Sequence, residues 1–394
     1  MSIGRRLKMG LIGPGWVATH HVDAVRRLGD VDVVAVAGSR LESAHARAGE
    51  LKIERAYGSY QELLADSEID VVHNTTPSHL HFHVSMAAIE AGKHIVSDKP
   101  LALDPADCAK LSDAARAAGV VNAVTFNYRG NSMVQQARQM LAENQLGRVT
   151  YIHGQYLQDW MTDPGVYSWR MDPEKGGSSS ALADIGSHWC DLAQHISGSE
   201  ITQVLADLAT AIPIRYKPAP GASDSMGSFT RAEGTEGKVP VAMQSEDIAS
   251  ILLRFSNGAR GCLRVGQVLP GHKNDLELEI NGIERSIRWR QEEANDLWIG
   301  NHLQPNALMP KDASMLGAQA APYAILPAGH QEGWADAFHA VIRDIYGWIR
   351  NNGKAEAKPA AVCDFAQAHR VCCIIDAMLR SHAAGGIWQT VETA

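Results

Sequence analysis

The sequence predicts an α/β protein with an N-terminal Rossmann domain and a second domain built on a mostly antiparallel sheet of meanders. Three observations carry this. A short apolar strand, Lys8 to Ile12, runs into Gly13-Pro14-Gly15-Trp16-Val17-Ala18, then a helix through His21, Val25 and Leu28, then a second strand, Val31 to Ala37. That order is a βαβ unit with its Gly-rich turn in place. Further buried strands and helical patterns alternate as far as Phe126. Beyond it, strands are separated by turn signals such as Ser256-Asn257-Gly258 and Asn281-Gly282, the pattern of antiparallel meanders. The expected domains are 1–128 and 129–394.

Composition narrows the classes. A chain of 394 residues is long enough for two domains. The formal charge of −8 gives no electrostatic reason to expect nucleic acid. Six cysteines are scattered and form no C-x-x-C pair, which suggests a reducing compartment. No apolar run is long enough to cross a bilayer. Arg5-Arg6-Leu7-Lys8 resembles a twin-arginine export signal, but the apolar residues after it are needed for the first strand. A cytoplasmic protein is expected.

In the first βαβ unit, Gly13 makes the tight turn, Gly15 lets a pyrophosphate approach the backbone, and Ala18 permits close packing of helix on strand. The helix start at Trp16 and Val17 attracts phosphates. A site for NAD usually has an acid at the end of the second strand. Here the residues are Gly38-Ser39-Arg40, with no acid before Glu42. Arg40 suits a 2′-phosphate, which favours NADP; the alternatives are that it stacks on adenine or faces solvent. The strand Ile69 to Asn74 ends in Thr75-Thr76-Pro77, and Pro77 opens a helix. On that helix His79 and His83 share a face. His79 is expected near the cofactor, and His81 and His83 to be packing or surface residues. The strand Lys93 to Val96 ends in Ser97-Asp98-Lys99-Pro100, which places Lys99 where parallel sheets bind ligands. A helix from Pro105 to Ala118 and the strand Val120 to Phe126 complete the domain. That strand leads into Asn127, a further expected cofactor contact, and Tyr128.

The second half holds a helix, Met133 to Glu143, an alternating strand, Val149 to Gln158, and a loop with Asp159-Trp160 and Ser168-Trp169-Arg170. The stretch from Leu182 to His195 reads as a helix with two stripes. Leu182, Ile185, Trp189, Leu192 and Ile196 are its buried stripe. Asp184, His188, Asp191 and His195 are polar at i, i+4, i+7 and i+11, and so share a face. Such residues suit a proton relay, a metal site or a satisfied polar network. Further strands are expected at Val204 to Ala211, Asp247 to Phe255, Ala259 to Val268, Leu276 to Asn281 and near Ser286 to Trp289. Pro218 to Lys238 and Asn301 to Pro327 read as irregular loops. Helices are expected at Gly333 to Asn351 and Cys363 to His382.

Four motifs in this order and spacing, Gly13-x-Gly15-x-x-Ala18-x-x-His21, Thr76-Pro77-x-His79, Asp98-Lys99-Pro100 and Asp184-Ile185-Gly186-Ser187-His188, resemble the glucose-fructose oxidoreductase, inositol dehydrogenase and rhizopine catabolism (Gfo/Idh/MocA) family over essentially the whole chain. The family usually has Glu where Asp98 stands, which shortens one side chain. Tyr156-Leu157-Gln158-Asp159-Trp160, Ser168-Trp169-Arg170 and Phe126-Asn127-Tyr128-Arg129 are similar to its levoglucosan dehydrogenase branch. The resemblance implies NAD(P)-linked oxidation of a sugar or polyol hydroxyl, typically to a ketone. It also implies a C-terminal α/β domain with a large, mostly antiparallel open sheet, one face of which packs against another subunit, hence a homodimer or homotetramer.

Alcohol oxidation needs a hydride acceptor, a base and donors for the developing alkoxide. His188 is the expected base, because imidazole titrates near working pH. Asp184 holds the sugar or orients the site, and Lys99 hydrogen-bonds the reacting hydroxyl. Lys99 as the base is the open alternative. Tyr128, Gln158, Trp160, Arg170 and His330 are the expected sugar contacts. Three other readings compete. Asp184, His188, Asp191 and His195 with His79, His81 and His83 would suit a metal-dependent hydrolase, but the nucleotide turn has no use there and no metal is expected. The resemblance also admits a redox-neutral, NAD-dependent glycosidase or a nucleotide-sensing regulator, the latter disfavoured by Lys99, Asp184 and His188.

Overall fold

The computed structural model describes residues 5–218 and 234–392. The chain divides into two compact units. One runs up to Gly130 and includes Trp334–Arg370; the other is Asn131–Gly333 with the chain from Val371 onward. The expected division at 128/129 assigned Trp334–Arg370 to the second domain. An amphipathic helix announces that it has an apolar stripe, not which sheet the stripe covers.

The first unit is a six-stranded sheet: β1 (Leu7–Ile12), β2 (Val31–Ala37), β3 (Arg55–Tyr57), β4 (Val71–Asn74), β5 (His94–Ser97) and β6 (Asn122–Val124). Every pairing is parallel, in the order β3-β2-β1-β4-β5-β6. Met9 to Ile12 and all of β4 are buried, as strands covered on both faces must be. The crossover helices are α1 (Trp16–Arg26), α2 (Leu41–Leu51), α3 (Tyr60–Leu64), α4 (Ser78–Glu90) and α5 (Pro105–Ala118). Strand order reverses between β1 and β4, the switch point at which such sheets bind ligands. The turns after these two strands hold Gly13 and Thr76. The helix Trp334–Arg350 closes the unit, with Phe338 edge-on to His21 at 4.9 Å and Asp336 paired to Arg27 at 2.9 Å.

The second unit opens with α6 (Ser132–Ala142). Its nine-stranded sheet is built from β7 (Val149–Leu157) and β8 (Ile201–Ala209), then, past the small hairpin β9 (Ile214–Lys217) and β10 (Val239–Ala242), from β11 (Ile248–Phe255), β12 (Arg260–Gly266), β13 (Asp275–Gly282), β14 (Arg285–Arg290), β15 (Asp296–Asn301), β16 (Ala307–Pro310) and β17 (Gln389–Thr390). The order is β16-β15-β14-β13-β7-β12-β11-β8-β17. Only β7 and β12 pair in parallel. Strand β16 lies in the stretch from Asn301 that reads as irregular, and it pairs with β15. Four residues between Pro and Gly turns carry too little alternation to reveal a strand. Residues 219–233 of the expected Pro218 to Lys238 loop lie outside the described residues. A short helix, α7 (Pro173–Gly176), precedes α8 (Ser187–Ser197). Helix α8 packs on one face of the sheet through fully buried Trp189, whose indole donates to the Glu277 carbonyl at 2.9 Å. The other face carries a row read straight across six strands: Leu252, Cys262, His153, Glu279, Arg288 and Trp298. Among the described residues no helix is long and apolar enough to cross a membrane.

Candidate active site

The nucleotide turn is dictated by its backbone. Gly13 has φ +88°, and a Cβ there would lie 2.5 Å from the Thr76 nitrogen, so only glycine fits between the turns after β1 and β4. The Thr75 hydroxyl fastens them by donating to the Gly13 carbonyl at 2.6 Å. At Gly15 a Cβ would meet nothing within 4 Å. Helix α1 begins there without a side-chain cap and with no acid in its first turn. Its first N–H groups are therefore left for an anion. Asn127 is buried, and its Nδ2 has no acceptor among the described residues. These features fit a dinucleotide. Trp16 is half exposed and lies edge-on to His20 at 4.6 Å. Val17 is partly buried, while Ser39 and Arg40 are exposed between β2 and α2. Arg47 is a residue the sequence did not reveal: from α2 it donates to Thr19 at 2.7 Å and reaches the Gly15 carbonyl at 3.4 Å.

The turn after β5 carries Lys99, partly buried, with a cis bond to Pro100. Asp98 beside it accepts from the Thr125 hydroxyl at 2.9 Å. Burial alone would raise this carboxyl, but His21, Lys99, His81 and that hydroxyl outweigh it and hold it below the usual range. Buried Asn74 organises the neighbouring turn, accepting from the Thr76 hydroxyl at 2.7 Å and donating to Ser85 at 3.0 Å. Pro77 precedes α4, and His79 is partly buried on its first turn. His83 is exposed and His81 buried, as expected of surface and packing residues. Yet His81 does more than pack. Its Nδ1 lies 2.6 Å from the Pro100 carbonyl and its Nε2 2.8 Å from the Thr76 carbonyl, which ties the lysine turn to the Thr76 turn. Tyr128 is buried in the one-turn helix Asn127–Gly130 of this same unit.

In the second unit, Asp184 and His188 sit at the head of α8, but the regular helix expected from Leu182 is not what forms. Leu182–Gly186 is a π turn, and the α-helix begins at Ser187. Wide turns of this kind arise often at functional sites, and local periodicity does not reveal them. The π turn is held by buried Glu246, whose Oε1 accepts from the Ser179 hydroxyl at 2.8 Å and from the Ser180 and Leu182 nitrogens at 3.1 and 2.8 Å. Burial raises the Glu246 carboxyl.

Asp184 is met on both oxygens. Gln267 donates to Oδ2 at 2.8 Å, and Arg170 Nε stands 3.4 Å from Oδ1. Arg170 also lies over the Trp169 ring at 4.8 Å. Gln158 links in: its Oε1 accepts from the Trp160 indole at 2.9 Å and from Gln267 at 3.2 Å. The buried His188 ring is edge-on to Tyr156 at 6.3 Å. The structure thus brings together Gln158, Trp160, Arg170 and Asp184. His330 is not among them: it is exposed, and its ring lies 3.4 Å from its own loop's Ala328 carbonyl. Further along the helix, buried His195 contacts Gln135 at 3.1 Å, a satisfied polar pair. Among the described residues no three His, Cys, Asp or Glu side chains group as metal ligands. Gln267 and Glu246 carry no motif, and no local signal singles them out.

A parallel sheet with a Gly-x-Gly turn at its switch point and an uncapped helix start defines a nucleotide-binding Rossmann protein, and the sequence comparison makes it an oxidoreductase. Residues 7–126 match the oxidoreductase family with NAD-binding Rossmann fold, and residues 134–288 match the GFO/IDH/MocA C-terminal domain. The chain belongs to the Gfo/Idh/MocA family. It is 34% identical over 306 residues to levoglucosan dehydrogenase of Pseudarthrobacter phenanthrenivorans, covering 75% of this chain and 76% of that protein. It is 31% identical to D-glucoside 3-dehydrogenase of Escherichia coli over 49% of this chain and 54% of that protein. A solved levoglucosan dehydrogenase in complex with NADH and levoglucosan superposes with a TM-score of 0.84 at 27% identity, covering 98% of this chain and 100% of that one.

Proposed function

We propose that the protein is an NADP-preferring dehydrogenase that oxidises a ring hydroxyl of a pyranose, anhydrosugar, glycoside or polyol to a ketone. The observation that carries this is the cluster around Asp184. A carboxylate, two amides, a guanidinium and an indole gather in one unit, which is the chemistry that recognises a polyhydroxylated ring. The sugar dehydrogenases among its relatives support the same reading. A bound nicotinamide supplies the hydride acceptor. The chain does the rest. Asp184 and Gln158 hydrogen-bond sugar hydroxyls, and Trp160 offers an apolar face to the ring. His188 takes the hydroxyl proton, while Lys99 donates to the same oxygen and favours its alkoxide. The alternative in which Lys99 is the base uses the same two residues with roles exchanged. Gly13, Gly15, Trp16, Val17, Ser39, Thr76, Pro77, His79, Lys99 and Asn127 bind the dinucleotide, and Arg40 takes the 2′-phosphate.

The test is to mix purified protein with NADP or NAD and a panel of pyranoses, anhydrosugars, glycosides and inositols, and to follow reduced nicotinamide by absorbance. A signal with one substrate class supports the reading. Silence across the panel, with nucleotide retained tightly through purification, would move the assignment to the redox-neutral glycosidase. The row from Leu252 to Trp298 on the outer sheet face supports a homodimer or homotetramer, which light scattering tests.

A further inference from the structure

The direction of the hydrogen bonds that run from Trp160 through Gln158 and Gln267 to Asp184 is determined by their two ends. The Trp160 indole can only donate, so Gln158 must present Oε1 to it. That same Oε1 lies 3.2 Å from Gln267, so Gln267 must present Nε2. Gln267 Nε2 then meets Asp184 Oδ2 at 2.8 Å, and an ionised carboxylate only accepts. The amide of Gln158 is used elsewhere, donating to Asn274 Oδ1 at 3.0 Å. Neither glutamine has freedom to flip.

The backbone of Gln267 is pinned as well. Its nitrogen donates to the Asp247 carbonyl at 3.0 Å, and its carbonyl accepts from Met161 at 3.1 Å. The residue is 1% exposed. The arrangement leaves Gln267 Oε1 buried without a donor among the described residues. An unsatisfied buried acceptor costs stability, and an apolar side chain of the same volume would avoid that cost. Packing alone therefore gives no reason for glutamine here.

We propose that Gln267 is a positioning residue for the oxidation step: it holds Oδ2 while Arg170 stands at Oδ1, so that Asp184 meets the sugar in one orientation. This rests on the reading of Asp184 as a sugar ligand. The test uses full-length Gln267→Met and Gln267→Leu, which keep the volume approximately and remove the donor. Melting temperature, nicotinamide nucleotide affinity, and kcat and KM for the sugar are measured on each. The expected result is a modest fall in melting temperature, because Asp184 Oδ2 and Gln158 Oε1 each lose a donor, with unchanged nucleotide affinity and sugar kcat/KM lower on the order of 10- to 100-fold, the scale of a small misplacement at a reacting centre. Wild-type kcat/KM in both variants overturns the proposal. So does an equal loss of nucleotide affinity alongside sugar kcat/KM in both, which would mark a merely structural residue. A wild-type chain that oxidises no sugar sinks the functional reading alone. Crystal structures then decide the proposal: an Asp184 carboxylate that keeps its orientation in Gln267→Met overturns it, and one that turns away supports it.

Discussion

His21 and His73 face each other through their Nδ1 atoms at 2.8 Å, both fully buried, and His73 continues through Nε2 to the Tyr346 hydroxyl at 3.1 Å. One proton serves the Nδ1 pair, so one ring donates and the other accepts. Burial is the main reason that His21 is pushed down to about 4, that His73 lies well below its ordinary range and that the Tyr346 hydroxyl lies well above its own. The chain of rings is therefore neutral at working pH.

This arrangement makes stability depend on pH with a definite sign. Both histidines are depressed in the folded state, so below about pH 6.5 the unfolded chain takes up protons that the folded chain refuses. Stability is full above that value and is lost as pH falls through His21's folded value near 4. His21 alone accounts for about 3 kcal/mol at the acid end. Urea unfolding followed from pH 7 to 4 is expected to show a shallower loss for His21→Gln than for wild type. Parallel curves would remove the pair from the pH dependence.

Removal of the two proposed reacting groups separates chemistry from binding. His188→Ala and Lys99→Ala are each expected to cut turnover by about 100-fold or more, the scale of general acid–base catalysis. Nucleotide affinity of His188→Ala, measured by fluorescence titration, should remain near wild type, and Lys99→Ala should still bind NADP. Near-normal turnover in either variant takes that residue out of the mechanism.

Arg40 is the residue proposed to read the 2′-phosphate. Charge-assisted hydrogen bonds are worth roughly 1.5–3 kcal/mol, equivalent to about 10- to 100-fold in affinity. Arg40→Ala should raise KM for NADP by that factor and leave KM for NAD within about twofold. Equal effects on the two nucleotides would mean that Arg40 does not read the 2′-phosphate.

Glu246 holds the π turn from a strand-side loop far away in sequence. Glu246→Ala leaves the Ser180 and Leu182 nitrogens without their acceptor, a cost of about 2 kcal/mol. Because Asp184 rides on that turn, turnover should fall more than stability does. A variant that loses stability but keeps kcat would show that the turn holds its shape unaided.

The sequence by itself determined the parts whose cause is local. Gly13 is required by the path of one βαβ unit, apolar runs reveal most strands of the first sheet, and alternation with turn signals reveals most strands of the second. The position of Lys99 after a parallel strand follows from the buried run before it, and the helix after Asp184 from a 3.6-residue stripe. The structure alone decided what depends on distant segments meeting. The helix from Trp334 belongs to the first unit because Phe338 and Tyr346 meet His21 and His73, and its own periodicity cannot say so. The turn at Asp184 is wide because Glu246, some sixty residues on, supplies its acceptor. His81 looks like one of three ordinary histidines until the Thr76 and Pro100 carbonyls are seen on its two nitrogens. Gln267 has no signature at all, since its role lies in which atom of an amide faces which neighbour. Hydrogen-bond direction is a property of assembled side chains, and only folding brings their atoms within reach of one another.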